Sequence, residues 1–150
     1  MGANVLCPPM WPIRKIKHER FDSWTSDPAV SYDAGDAVGL DPDTASSTYG
    51  NAHPFQPGDC FIGFADGKSC NETQIPVMSE MELCLPITGG GLDLATIPHL
   101  PKNDVYVNAT GPRTFELGAA GPDTIGSVVQ VKDAKNAWVR IYTQAELAQI

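Results

Sequence analysis

Between Asp104 and Tyr142 apolar and polar positions alternate in successive runs: Asp104–Val107, Thr114–Leu117, Ile125–Val131 and Ala137–Tyr142. A period of two puts alternate side chains on one face of a sheet. Phe115 and Leu117 then share a face, as do Ile125, Val129 and Val131, and Ala137, Val139 and Ile141. With Gly111-Pro112, a Gly-rich stretch to Pro122 and a polar turn between the runs, the pattern predicts a β-meander with one buried side. Upstream, Met81–Ile87 alternates in the same way, with Met81, Leu83, Leu85 and Ile87 facing together. Pro86 lacks a ladder donor, which places that end of the strand at an edge or a bulge. Asp36, Asp59 and Asp104 each close a turn and lead an apolar run, so a recurring turn is expected in which the carboxylate caps backbone N–H groups. Asp66-Gly67 signals a two-residue hairpin after Phe61–Ala65. Thr143–Ile150 favours a short helix.

Residues 1–26 depart from this grammar. Pro8, Pro9 and Pro12 force an extended, polyproline-like path, and Arg14–Phe21 has room for two helical turns at most. Met10, Trp11, Phe21 and Trp24 are large apolar side chains with no local core to enter. The expected organisation is an extended N-terminal arm, 1–26, ahead of a body, 27–150. The body is mainly β: a compact β-barrel or β-sandwich of short antiparallel strands.

The 150 residues suit one domain with a real core. Fourteen glycines and thirteen prolines fall between apolar runs rather than in one tract, which agrees with many short strands and tight turns. No apolar run is long enough to cross a bilayer, and the first residues lack the pattern of a secretory signal, so a soluble chain is expected. Net charge is −8 and uneven: residues 1–24 carry four basic and two acidic side chains, the remainder six and sixteen. Phosphates would meet a repelling body, so nucleic acid is a poor partner and a protein a better one. The four cysteines, Cys7, Cys60, Cys70 and Cys84, are irregularly spaced. They are expected as buried or half-buried thiols, with Cys60 and Cys70 the pair best placed if a disulfide forms.

Little here points to catalysis. Gly89-Gly90-Gly91 lacks the following helix and lysine of a phosphate loop. His18, His53 and His99 lie in segments of different character, and a metal site would need unrelated loops to converge. Asp33, Asp36, Asp41 and Asp43 are the densest carboxylate group but lack EF-hand spacing, so solvated turn aspartates are expected. No nucleophile elbow or Cys–His signature is present. The expectation is a protein that is not an enzyme, with no catalytic, cofactor or metal residues.

The succession Ala34-Gly35-Asp36-Ala37-Val38, Phe55-x-Pro57-Gly58-Asp59-x-Phe61-x-Gly63-Phe64-Ala65, Met81–Ile87, Asn103-Asp104-Val105-Tyr106, Ile125-Gly126-x-Val128 and Ala137-Trp138-Val139-Arg140-Ile141 resembles the small capsid decoration, or cement, proteins of tailed bacteriophages. The resemblance covers residues 29–142, and the order of the pieces carries it. It implies a structural virion protein on the outer surface of the head, present in the host cytoplasm before assembly. Such a protein binds neighbouring major capsid proteins, usually as an oligomer, with a homotrimer favoured. The segment 1–26 lies outside the recurring pattern. Its Met10, Trp11, Ile13, Arg14, Lys15, Lys17, Phe21 and Trp24 are the candidate capsid contacts, and Ile97, Leu100, Leu147 and Ile150 the candidate oligomer interface. The alternative is a carbohydrate- or receptor-binding β-module at a fibre base, with Tyr32, Tyr49 and Phe55 as exposed loop aromatics.

Overall fold

The alternating runs become strands wherever turn residues bound them. The computed structural model describes residues 13–14, 20–67, 69–70, 72–79, 81–88 and 105–149, with backbone alone for 13, 14, 20, 21, 69, 70 and 144. In chain order the strands are β1 (Ile13–Arg14), β2 (Arg20–Thr25), β3 (Ser31–Tyr32), β4 (Ala37–Leu40), β5 (Ala52–Pro54), β6 (Cys60–Ala65), β7 (Ser69–Cys70), β8 (Gln74–Ser79), β9 (Glu82–Pro86), β10 (Tyr106–Ala109), β11 (Phe115–Gly118), β12 (Thr124–Val131) and β13 (Asn136–Ile141). Helix α1 (Gln144–Leu147) follows.

Six strands form one sheet in the order β1-β9-β13-β12-β10-β11, five form a second in the order β2-β8-β6-β4-β5, and β3 pairs with β7. The two larger sheets pack face to face as a β-sandwich. Of the two expected architectures the barrel is not formed: among the described residues each sheet stays open, with isolated parallel bridges, Thr88 with Glu116 and Ser26 with Ala52, lying outside its strand pairings. Between the sheets, Phe55, Phe61, Phe64 and Met78 meet Leu83, Leu85, Val107, Phe115, Ile125, Val139 and Ile141. The rings form a file, with centroids 6.2 Å apart from Phe55 to Phe61, 5.5 Å from Phe61 to Phe64 and 6.1 Å from Phe64 to Phe115, distances at which aromatic pairs attract beyond their burial. Behind the second sheet a smaller cluster holds Tyr32, Val38, Ile62, Ile75 and Val77. That sheet is therefore covered on both faces.

The aspartate turns are present where the chain is described. In Asp33–Asp36 and Gln56–Asp59 the last N–H bonds the first C=O at 3.1 and 3.0 Å. The last carboxylate in turn accepts the first N–H, at 2.8 Å in both. Gly35 and Gly58 hold φ of 86° and 95° at the third position, the left-handed conformation a type II turn demands there. Asp104 lies outside the described residues. Met81, Leu83, Leu85 and Ile87 are buried together as expected. Ile87 N bonds Lys135 O on the β13 side, so the neighbouring Pro86 nitrogen faces the other way, beyond the reach of two-residue β1.

Three expectations are corrected. The meander breaks at one step: β12 pairs with β10 rather than β11, because the long, largely buried β12 takes an interior place and β11, with Glu116 and Gly118 exposed, takes the edge. Register shifts in β12 against both neighbours turn Val128 rather than Val129 into the core beside Ile125. Asp66-Gly67 does not close a two-residue hairpin, since β6 pairs with β8 (Phe64 opposite Met78) and β7 lies within the connection. The expected arm also meets the body within its own length. Ile13 and Arg14 lie opposite Leu83 and Glu82, and Arg20–Thr25 pairs with Gln74–Ser79 over six residues. Both strands are sheet edges.

Candidate functional site

The loop joining β10 to β11 crosses to the other sheet. Pro112 O accepts from Ala37 N at 2.8 Å, and Arg113 Nε donates to Asp36 Oδ1 at 2.5 Å while Nη2 meets Asp33 Oδ2. The bond to Asp36 first, and then the charges of both carboxylates, raise the guanidinium above its usual range. Asp36 is 5% exposed, so the picture of a solvated turn aspartate is corrected there. It is an ion-pair anchor between the sheets. Sequence reading passed over Arg113, because a cation after Gly111-Pro112 reads as an ordinary turn residue and its partner is distant in the chain.

A second bridge joins Gly58 N to Asp123 Oδ1 at 2.9 Å. Beside it lies a cleft of ≈ 540 Å³ lined by Asp59, Cys60, Phe61, Ala120, Gly121, Pro122, Thr124, Leu147 and Ala148. Helix α1 is fixed at its rim by a capping box: Thr143 Oγ1 accepts from Glu146 N and Glu146 Oε1 accepts from Thr143 N, both at 3.1 Å. Arg140 adds an ion pair to Glu146 at 2.8 Å. Burial, and then the charge of Asp59, push the Cys60 thiol up, the opposite of what an activated nucleophile needs. Among the described residues no three His, Cys, Asp or Glu side chains are placed to hold a metal ion, and no helix is long and apolar enough to cross a membrane.

Asp59 is the buried carboxylate of this region. His53 Nε2, itself shielded from solvent, lies 3.1 Å from Asp59 Oδ2 without the alignment of a hydrogen bond. Burial raises the Asp59 carboxyl above its ordinary value, against the Gln56 N–H and His53, with Asp41 adding to the rise. A raised folded-state value means that the folded protein binds the proton more tightly than the unfolded chain. The associated stability is therefore complete below the unfolded value and is lost as pH rises through the folded one. Relative to Asp59→Asn, the wild type is expected to gain stability as pH falls from 7 to 4. Urea midpoints of the two proteins across that range check this, and a relative loss by the wild type contradicts it.

The β4–β5 connection, residues 41–51, is built almost wholly from its own hydrogen bonds. Asp41 Oδ2 accepts from Thr48 Oγ1 at 2.6 Å and Oδ1 from Asp43 N at 2.9 Å. Asp41 N donates to Asn51 O, and Gly50 N to Asp41 O. The Thr48 hydroxyl first, and the Asp43 N–H next, hold the Asp41 carboxyl below its usual value. Tyr49 projects from this loop with 56% of its surface exposed.

The candidate residues are distributed as follows. Met10, Trp11, Lys15 and Lys17 lie outside the described residues, as do Ile97, Leu100 and Ile150. Ile13 and Arg14 form β1, and Phe21 stands in β2 opposite Met78. Trp24 packs half-buried against the smaller core cluster, so its ring is turned to its own body. Leu147 packs against the main core. Of the loop aromatics, Phe55 and Tyr32 are 0% and 2% exposed, a correction that leaves Tyr49 alone at the surface. Tyr32 bonds Ser26 Oγ at 2.9 Å, and burial pushes its phenol up to about 12.

Compared with known proteins, the chain matches no family model, no curated protein and no solved structure.

Proposed function

We propose that this chain is a head decoration protein of a tailed bacteriophage, a non-enzymatic virion component that binds neighbouring major capsid proteins on the outer shell as a homo-oligomer, with a trimer favoured. The support is the resemblance over residues 29–142 together with one observation, the placement of β1 and β2. The chain passes from β8 in one sheet to β9 in the other through residues 80 and 81, and β1 and β2 are the edge strands beside β9 and β8. Strands β1 and β2 thus lie along the side of the sandwich where β8 gives way to β9, and the sheets are tied to each other by Arg113 and Asp123.

That geometry suits cement. Decoration relies on modest contacts multiplied by symmetry, for which a standard interface of about 800 Å² per partner suffices once several are tied together. The segment adds contact at little cost to the body, and its basic residues Arg14, Lys15, Lys17 and Arg20 set it apart from the acidic remainder. Met10, Trp11 and the neighbouring basic residues supply the anchor chemistry.

The test is removal of residues 2–12, which spares both edge strands. The truncated protein is expected to keep its urea midpoint and to bind heads assembled from the cognate major capsid protein at least about tenfold more weakly. Full occupancy of heads by the truncated form in a sedimentation assay would overturn the assignment of the contact to this segment.

A further inference from the structure

The connection between β4 and β5 is longer and more ordered than the pairing of the two strands requires. Leu40 and Ala52 are already partners across the hairpin, so two turn residues would close it. The chain uses eleven, residues 41–51. Hairpin loops of that length are uncommon, and self-packed surface loops of this size are frequently functional. This one is closed on itself at Asp41 and Asn51, and its interior bonds run through Asp41, Asp43, Ser46 and Thr48.

We propose that this loop is a second docking element, with Tyr49 as its anchor and, as partner, a protein surface that offers an apolar pocket beside basic side chains. The inference rests on the reading above, under which that surface belongs to the major capsid protein. Tyr49 is the exposed large hydrophobic side chain among the described residues. Its ring carries a large amphipathic area on two rotatable bonds, which loses little entropy on contact. More than half of the residue lies open to solvent, and its place in the loop is held by its backbone, where Tyr49 N donates to Ser46 O. Because the loop is held by its own bonds, ordering it for binding has already been met in folding, the condition under which few contacts give useful affinity. Residues 41–51 contain Asp41 and Asp43 and no basic side chain, so the complementary surface is basic. Tyr49 and the N-terminal segment would then form two points of attachment, each raising the effective concentration of the other.

The test uses the full chain as wild type, Tyr49→Ala and Thr48→Val, sedimented with heads assembled from the cognate major capsid protein. Tyr49→Ala is expected to keep the wild-type urea midpoint and to bind at least about tenfold more weakly. Thr48→Val keeps the ring but removes the hydroxyl that ties Thr48 to Asp41, and is expected to bind about threefold more weakly through loss of order in the loop. Wild-type binding with an unchanged Tyr49→Ala affinity overturns this inference alone. No binding by the wild type overturns the proposed function and the inference with it. A glycan array on which the wild type is retained and Tyr49→Ala is not, with head binding equal in both, would assign the loop to carbohydrate instead.

Discussion

Replacing Phe64 with alanine is expected to destabilise the protein by about 4 kcal/mol, the middle of the range for a fully buried aromatic. Phe64 is 0% exposed and stands in the ring file between Phe61 of its own sheet and Phe115 of the facing one. Truncation removes the transfer energy of the ring and leaves a void between two sheets whose separation is fixed elsewhere. Arg113 holds one crossing and Asp123 another, so the sandwich has little freedom to collapse onto the gap. Urea unfolding of Phe64→Ala measures the loss. A loss under about 1.5 kcal/mol would mean that the sheets close over the cavity, and the cross-sheet ties would then be weaker than their geometry indicates.

Gly63→Ala is expected to cost at least about 3 kcal/mol, through overpacking and backbone strain. Gly63 has φ of 148°, in the region L side chains rarely adopt. A Cβ there would drive into Met78 O and come within 2.7 Å of Val77 Cγ1 on the neighbouring strand. The carbonyl belongs to an interior sheet ladder and cannot step aside without breaking β6 from β8. Gly63→Ala is therefore expected to lose secondary structure at a lower urea concentration than the wild type, followed by far-UV circular dichroism. An unchanged midpoint would show that β6 and β8 lie farther apart than described. The two substitutions are adjacent on β6 yet fail differently, one by a missing contact and the other by an intrusive one.

Much of the sandwich was legible from side-chain alternation. Met81–Ile87 and Ala137–Ile141 face as read because each runs without a bulge through the stretch that was read. β12 did not follow, since its register shifts against both neighbours. Local periodicity carries no trace of a bulge imposed by partners far away in the chain. The aspartate turns were legible because the chemistry is local: four residues, a glycine at the third and a carboxylate at the fourth. Arg113 was not, because its partners lie about eighty residues upstream and nothing near it marks a buried acid. In the N-terminal segment Pro8, Pro9 and Pro12 lie outside the described residues, whereas Arg20–Thr25 pairs with β8, a partnership about fifty residues away that nothing local marks. Tyr49, grouped at first with Tyr32 and Phe55, parts from them because burial is decided by the closing of sheets and not by residue type.

The most direct measurement is an electron cryomicroscopy reconstruction of heads, assembled from the cognate major capsid protein, after incubation with the wild-type chain. The expected result is density for the sandwich at symmetry-related positions on the outer face, with the β8–β9 corner and the 41–51 loop directed at the shell. Bare heads at saturating protein, or density that turns both of those features away from the shell, would contradict it.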